Sequence, residues 1–252
     1  TDEDPTQYAP ILYFVQEETC YPVDVSYALQ NSNLYIVGGT TALLEAPINA
    51  TNLAQYTTDG YYLDNQRGTV ADTGIESDYQ SKMTSLGYKV YARVDTANSV
   101  IQYWFFYAFN GGDLNSHEGD WEMIQVAFTD DQPTQVMFSQ HYAGQSATWS
   151  QVDKDGNHVK VYVARGSHAN YIRSYSGKVG LASDDVGANG KILRPTTDYS
   201  IEILNSQPWL SFAGRWGWYG ANQSQADEAA ILGEAGPQGP MYREDGTMWQ
   251  PL

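Results

Sequence analysis

Alternating apolar and polar positions dominate the chain between residues 88 and 204. Several segments in this region are rich in β-branched and aromatic residues, and short runs of Asp, Asn, Gly and Pro separate them. The segments are YKVYARV, VIQYWFFYAF, WEMIQVAF, QVMFSQHY, HVKVYVA and YSIEIL. Many short strands joined by turns are typical of antiparallel sandwiches. The pattern therefore predicts an all-β fold, an antiparallel β-sandwich with long loops and few short helices.

Helical patterns are scarce outside this region. The segment QADEAAIL at 225–232 is the best helix candidate, and PVDVSYAL at 22–29 predicts one or two helical turns. Residues 45–80 are polar and predict a loop. No repeat or linker divides the chain, so we expect a single β-sandwich domain over residues 1–252. A C-terminal tail should wrap around it from about residue 205.

The charge balance narrows the classes of partner. The chain has 13 Lys and Arg against 30 Asp and Glu, which gives a net charge of −17. Such a chain repels nucleic acid and anionic lipid and attracts divalent cations. Cys20 is the only cysteine, so no disulfide can form within the chain. We therefore expect no nucleic-acid partner, and we expect stability to come from the core or from a bound metal.

The ends of the sequence and two short motifs concern localisation. The chain begins without Met, which indicates either a processed mature N-terminus or a trimmed chain. Asn49-Ala50-Thr51 and Asn222-Gln223-Ser224 are glycosylation sequons. No apolar run of the length that a membrane-spanning helix needs is present in the sequence. We therefore expect a secreted, extracellular, monomeric glycoprotein.

The sequence SHEGDWEMIQV at 116–126 concentrates acids and an imidazole at the start of a predicted strand. In an extended chain Asp120 and Glu122 share one face, and His117 can join them across a turn at the intervening glycine. Asp113 precedes them in a loop that can fold back. Oxygen-rich ligand sets with one His suit calcium, magnesium or manganese better than structural zinc. Two interpretations remain: a divalent-metal site formed by these four residues, or a hydrogen-bonded polar turn.

Further histidines follow other predicted strands. His141 ends QVMFSQHY, and His168 lies in ARGSHANY, just after HVKVYVA. Loops at strand ends gather at the ends of a sandwich, so we expect both rings near His117. His158 follows the turn DKDGN and is expected to be an exposed hairpin residue. In a catalytic site, His117 or His168 would be the general base and Arg165 would neutralise developing negative charge.

The chain resembles the vacuolar protein sorting-associated protein 62 family over most of its length and in consistent order. The segments that carry the resemblance are YAPILYF, PVDVSYAL, IQYWFFYAFNGG, HEGDWE, SQHYAG, VYVARGSHANY and PWLSFAGRWG. The combination of HxGDWE, a later His-centred turn and a PWL…WG tail is specific. The family name refers to a trafficking phenotype and implies no chemistry.

HxxDWE also resembles part of the heptapeptide of the necrosis- and ethylene-inducing-peptide-like proteins. Those are secreted cytolytic β-sandwiches whose divalent metal is held by the His, Asp and Glu of the motif and by an upstream Asp. The resemblance implies that metal ligands here are Asp113, His117, Asp120 and Glu122, with His168 nearby. Glu118-Gly119 replaces the basic pair of the heptapeptide, and the characteristic disulfide cannot form. These departures leave metal binding in place and remove support for toxin activity.

Different function classes fit these features. We favour a secreted calcium- or magnesium-binding protein that recognises glycans or glycosylated membrane lipids, with peripheral membrane contact and cytolytic activity as its extension. His141, Trp149 and Tyr171 are the expected ligand contacts, the two aromatic residues because their rings can stack on a sugar. The alternatives are a metal-dependent hydrolase or lyase acting on extracellular polysaccharide, and an intracellular trafficking factor.

Overall fold

The computed structural model describes residues 4–112, 115–141, 143–179 and 182–251. The strands in these ranges are β1 (Ile11–Tyr13), β2 (Ser32–Ile36), β3 (Tyr61–Asn65), β4 (Tyr88–Asp95), β5 (Val100–Asn110), β6 (His117–Thr129), β7 (Gln132–Gln140), β8 (Ala143–Thr148), β9 (Lys154–Asp155), β10 (His158–Val163), β11 (Asn170–Tyr171), β12 (Tyr175–Val179), β13 (Ala182–Val186), β14 (Ile192–Leu193) and β15 (Tyr199–Ile203). The α-helices are α1 (Ser26–Asn31), α2 (Ala50–Leu53), α3 (Gly74–Leu86) and α4 (Gln223–Leu232). Short 3-10 helices cover Pro5–Tyr8, Leu204–Ser206, Pro208–Ser211 and Thr247–Trp249. In the part of the chain described, no helix has the length and apolarity needed to cross a bilayer.

The larger sheet has the strand order β15-β4-β5-β6-β7-β8. Its neighbours are antiparallel, except that β15 runs parallel to β4. The register places Phe106 opposite Trp121 and Tyr107 opposite Asp120. Because successive side chains of a strand point to opposite faces, Asp120 and Glu122 share one face of β6 and Trp121 lies on the other, as the alternation predicts.

The smaller sheet has the order β11-β10-β1-β14, and β9 also pairs with β10. Its strands β1 and β10 are parallel neighbours. Leu12 of β1 and Val161 of β10 lie in the same buried cluster as Ile124 and Phe138 of the larger sheet. The fold is therefore the predicted all-β sandwich, with parallel pairs in both sheets that the sequence pattern did not indicate.

The segment after β15 covers the other face of the larger sheet. Trp209 and Trp216 pack on Trp121, with ring centroids 5.5 and 5.7 Å apart. At the far end of the tail, the guanidinium of Arg93 lies 3.9 Å from the ring centroid of Trp249. Strand β5 is consequently buried along its whole length. The tail thus contributes aromatic side chains to the core and does not only wrap the surface.

The prediction of a loop over residues 45–80 was wrong. This region contains α2, β3 and most of α3. Asn49 caps α2, because its Oδ1 accepts a hydrogen bond of 2.8 Å from the backbone N–H of Thr51. Helix α3 buries only Ile75 and Tyr79, one turn apart, so its largely polar sequence shows a weak apolar pattern.

The turn DKDGN joins β9 to β10 as a hairpin, as predicted. Gly156 has a φ of +60° there, which favours glycine. The prediction that His158 is an exposed turn residue was wrong, because the side chain is half-buried and its Nδ1 lies 2.8 Å from the carbonyl oxygen of Ala9. The parallel pairing of β1 with β10 creates this contact, and local turn chemistry cannot reveal such a pairing.

Candidate functional site

The HEGDWE motif opens β6 at the end of the sandwich where β5 stops and the β10–β11 turn approaches. The turn is tied to the end of β5 by a hydrogen bond of 3.1 Å from the N–H of Gly111 to the carbonyl oxygen of Gly166. Gly119 has a φ of +62°, and a Cβ there would lie 2.1 Å from the carbonyl oxygen of Trp216. Only glycine fits this close approach.

Asp120 and His168 form a fully buried pair that joins the two sheets. The Nδ1 atom of His168 lies 3.0 Å from Oδ2 of Asp120. The same oxygen accepts a hydrogen bond of 3.2 Å from the Asn110 amide, and Oδ1 accepts one of 2.9 Å from the N–H of Trp121. The His168 ring stacks on Tyr107 with centroids 3.7 Å apart and planes within 4°. The imidazole is therefore held at its edge by Asp120 and at its face by Tyr107.

Glu18, in the loop after β1, approaches the opposite side of the same ring. Its Oε1 lies 3.8 Å from Nε2 of His168, too far for a hydrogen bond but close enough for charge attraction. Oε1 accepts the N–H groups of Thr19 and Cys20, both at 2.9 Å, and Oε2 accepts that of Gly166 at 2.8 Å. Nothing in the sequence indicated Glu18, because an acid among polar neighbours carries no signal of burial.

The surroundings of His168 fix its protonation. Burial alone would lower its pKa, but the hydrogen bond to Asp120 and the charge of Glu18 raise the pKa of His168 well above its usual value. Burial likewise opposes ionisation of Asp120, yet the bond from His168 and nearby imidazole charge hold the pKa of Asp120 well below its usual range. An enclosed imidazolium has no free lone pair to accept a proton, so the geometry gives His168 a structural role.

Glu122 is also fully buried but pairs with a half-exposed ring. Its Oε1 accepts the N–H of His141 at 3.2 Å and lies 3.3 Å from Nδ1 of the same residue. The hydroxyl of Ser139 donates to Oε2. Burial would lower the pKa of His141, but the hydrogen bond and charge of Glu122 raise it above its usual value. His141 has a φ of +58°, which is uncommon for a residue with a Cβ.

One ring nitrogen of His117 has no hydrogen-bond partner among the described residues. Its Nδ1 lies 2.7 Å from the carbonyl oxygen of Gly119, so Nδ1 carries the hydrogen and Nε2 keeps its lone pair. Burial lowers the pKa of His117, although the charge of Asp120 opposes the shift. A neutral imidazole with one nitrogen anchored on a carbonyl is the form that binds metals.

A cavity of 420 Å³ lies over this end of the sandwich, and we call it the polar cavity. Its walls combine imidazole, guanidinium, amide, hydroxyl and carboxylate groups from both sheets and the tail. The polar residues that line it are Asn110, Asn115, His117, Gln140, His141, Ser167, Arg215, Gln238, Arg243, Glu244 and Asp245.

Arg243 is the member of this wall that sequence reasoning most clearly missed. The residue is only 8% exposed, and its Nε has no hydrogen-bond partner among the described residues. Its Nη1 lies 3.2 Å from Oε1 of Glu244. The tail delivers Arg243 from a distant part of the chain, and the local sequence carries no motif that would have indicated it.

Several predicted site residues lie elsewhere. Arg165 is exposed on the β10–β11 turn and does not line the polar cavity. Trp149 packs edge-on against Tyr8, with centroids 6.1 Å apart. Tyr171 is buried and donates its hydroxyl to Asp184. Asp113 lies outside the described residues. The motif thus comes together with His141 and His168 but not with Arg165, Trp149 or Tyr171.

The donor types suit a divalent cation, but the described residues alone do not assemble a ligand set. Within those ranges, no three His, Cys, Asp or Glu side chains are placed to hold a metal ion. A carboxylate offers roughly four acceptor positions, and protein donors occupy part of this capacity in Asp120 and Glu122. Both acids and the free Nε2 of His117 therefore retain capacity for a cation.

Comparison with known proteins identifies the family. The sequence model of the family "Vacuolar protein sorting-associated protein 62" matches residues 5–225, and the chain belongs to this family. No curated protein matches it.

Among solved structures, the chain is similar to necrosis- and ethylene-inducing proteins at low identity. Protein 2 of this class from the causal agent of cocoa's Witches Broom disease is 15% identical, with a TM-score of 0.40, over 90% of this chain and 79% of that chain. NLPPya in complex with glucosamine is 14% identical, with a TM-score of 0.40, over 94% and 82%. The non-toxic HaNLP3 protein is 13% identical, with a TM-score of 0.37, over 88% and 76%. At these values the similarity carries no inference about function.

Proposed function

We propose that this protein binds a glycan in the polar cavity. The cavity itself supports the proposal: it measures 420 Å³ and combines donors and acceptors on facing walls. This volume falls within the roughly 300–1,000 Å³ of small-ligand sites. Sugar hydroxyls both donate and accept hydrogen bonds, so they match walls that contain arginine and amide donors beside carboxylate acceptors. The ligand is the polar end of a free glycan or of a glycosylated membrane lipid.

A divalent cation, calcium or magnesium, belongs to the same proposal. His117, Asp120 and Glu122 would hold it, with Asp113 as a further ligand. The charge balance supports this, because in the described ranges the ionic partners of both buried acids are histidines and not Lys or Arg. When bound, such a cation coordinates oxygen atoms, including sugar hydroxyls, and so fixes a sugar in orientation.

An extracellular location is the third part of the proposal. Both sequon asparagines are exposed, and both cap helices. Asn49 and Asn222 use Oδ1 to accept backbone N–H groups, so the capping hydrogen bonds do not engage Nδ2. The amide nitrogen is the atom that an N-linked glycan modifies.

Catalysis is the second candidate, and one observation favours it. His117 lines the polar cavity, and its Nε2, which keeps a lone pair, could accept a proton from a bound polysaccharide. Arg243, which lines the cavity, would then neutralise developing charge in place of Arg165. A His117 that ligates a cation through Nε2 cannot also act as this base, so the two candidates exclude one another at that atom.

The test compares a cavity arginine with an exposed one. Glycans that bind the wild type on an array are titrated calorimetrically against Arg243→Gln and Arg165→Gln, with calcium, with magnesium and with a chelator. We expect Arg243→Gln to weaken binding about tenfold, since it removes a charged hydrogen-bond donor. Arg165→Gln should bind as the wild type does, and the chelator should weaken binding.

Equal affinities for the wild type and Arg243→Gln would place the ligand elsewhere. Unchanged binding in chelator would remove the cation from the proposal. Product formation from a polysaccharide that is lost in His117→Ala would favour the enzyme. Leakage from glycolipid vesicles without product would extend the binding function to membranes.

A further inference from the structure

A second cavity of 830 Å³ lies beside the polar cavity, and His117 and Asn115 line both. We call it the acidic groove. Its charged walls are Asp64 at the end of β3, Glu118 in β6 and Glu234 after α4. The described residues that line it include no Lys or Arg, whereas the polar cavity contains two arginines. The two neighbouring cavities therefore differ in the charge that they favour.

Glu118 is the central group of the acidic groove. It is only 7% exposed. Its Oε2 accepts the N–H groups of Asn65 and Trp218, each at 3.1 Å. Its Oε1 has no hydrogen-bond partner and the carboxylate has no ion pair within the described ranges, although the side chain lines the cavity. A buried carboxyl oxygen without a partner is unfavourable, so a cationic N–H donor in the groove would satisfy it and favour the ionised form.

The rest of the wall favours an organic cation over a metal ion. Trp218 is half-buried, and its N–H bond to Glu118 fixes its backbone at the wall. Leu232, which is 47% exposed, and the partly buried Val70 supply apolar surface. Hard metal ions need a shell of oxygen ligands, whereas an alkylammonium ion combines a charge for the carboxylates with a body for this apolar surface.

We propose that the acidic groove is a binding site for an organic ammonium ion. The ammonium group would lie between Glu118 and Asp64, and the apolar part of the ligand would contact Trp218 and Leu232. This site adjoins the glycan site and shares His117 and Asn115 with it, but the proposal does not depend on glycan binding.

The test uses n-butylammonium chloride and its neutral analogue n-butanol. Both are titrated into the full chain in the presence of a chelator, which removes any effect of a divalent cation. Binding is followed by NMR through the indole N–H signals, and the signal of Trp218 is identified by its loss in Trp218→Leu. We expect saturable binding of n-butylammonium, about tenfold tighter than n-butanol, because only the ammonium makes charged hydrogen bonds.

Charge-removing variants locate the site. Glu118→Gln keeps an oxygen that can accept the two N–H groups but removes the charge, and Asp64→Asn removes the neighbouring charge. Each should weaken n-butylammonium binding about tenfold. Asp131→Asn is the matched control, since it loses the same charge at the exposed β6–β7 turn, where the φ of +58° is tolerated by Asn. Its affinity should be that of the wild type.

Equal binding of n-butanol and n-butylammonium overturns the proposal. So does unchanged affinity in Asp64→Asn, or a loss in Asp131→Asn as large as that in Glu118→Gln, which would reflect net charge alone. If circular dichroism shows that Glu118→Gln does not fold, Asp64→Asn decides the outcome. In the folded variants, weaker n-butylammonium binding supports the site and unchanged binding refutes it.

Discussion

Asp120 and Glu122 lie two residues apart on one face of β6, and both are fully buried, yet they pair with different kinds of histidine. The partner of Asp120 is His168, which is enclosed, stacked on Tyr107 and approached by a second carboxylate. The partner of Glu122 is His141, whose side chain is 35% exposed at the polar cavity. One short motif thus supplies both a buried link between the two sheets and the partner of a histidine that lines the polar cavity.

This difference shows why a motif match alone does not assign roles. Both acid–histidine pairs have the residue types of a metal or catalytic site. Of the two pairs, only Glu122–His141 reaches the polar cavity, through the ring of His141. The Asp120–His168 pair bridges the two sheets, so its first contribution is to the folded state. Breaking each pair separately should therefore have different consequences.

The largest effect is expected for Asp120→Asn. The substitution leaves the buried imidazolium of His168 without its hydrogen-bonded carboxylate, and removing one partner of a buried ion pair costs about 3–5 kcal/mol of unfolding free energy. Urea unfolding in chelator measures this loss without a contribution from a cation. Glu122→Gln should lose clearly less, because water can reach its partner. Equal losses of unfolding free energy in the two variants would contradict the different roles assigned to Asp120 and Glu122.

Cation binding should have the next largest effect. A ligand that binds only the folded state stabilises it by about 3 kcal/mol at a hundredfold excess over the dissociation constant. We expect calcium or magnesium to raise the melting temperature of the wild type and not that of Glu122→Gln, which keeps the fold but loses a charged ligand. A scan of melting temperature against cation concentration checks this. Melting curves of the wild type that coincide in chelator and in excess cation would rule out the site.

The pH dependence of stability should report the enclosed pair. The raised pKa of His168 gives a contribution that is complete below its unfolded pKa of about 6.5 and is lost as the pH rises through the folded pKa. The lowered pKa of Asp120 gives a contribution present above its unfolded pKa of about 3.9 and lost as the pH falls through the folded pKa. Together they stabilise most between about pH 4 and 6.5.

The comparison variant for this pH dependence is His168→Gln. The ring of His168 faces Asp120, Glu18, Tyr107 and the thiol of Cys20. Because the raised pKa of His168 stabilises only the protonated form, the advantage of the wild type over the variant should shrink as the pH rises above about 6.5. Urea unfolding of both proteins across the neutral and alkaline range measures it. An advantage that stays constant with pH would show that His168 is neutral in the fold.

The sequence pattern predicted those parts of the molecule that depend on local periodicity. Alternation predicted the central strands and the shared face of Asp120 and Glu122, because the pleat repeats every two residues whatever the surroundings. It could not find Glu18 or Arg243, whose burial depends on packing between distant segments. It also missed helix α3, since a helix that buries few side chains has a weak apolar pattern. Local signals therefore located the motif, and long-range packing determined what each of its residues does.

The smallest change in stability is expected for His141→Asn. This variant alters only the pair at the polar cavity and leaves the Asp120–His168 pair in place. Asn tolerates the φ of +58° at this position, so the substitution removes the ring without adding backbone strain. The pair with Glu122 is partly solvated, so the unfolding free energy should fall by about 1 kcal/mol or less. Glycan affinity should fall about tenfold, because a charged donor leaves the cavity wall.

Trp149→Phe, away from the cavity, is the control and should keep wild-type affinity. Calorimetric titration and urea unfolding of the same samples give both quantities. If His141→Asn loses as much stability as Asp120→Asn and glycan affinity is unchanged, both pairs are structural. His141 is then not part of the glycan site.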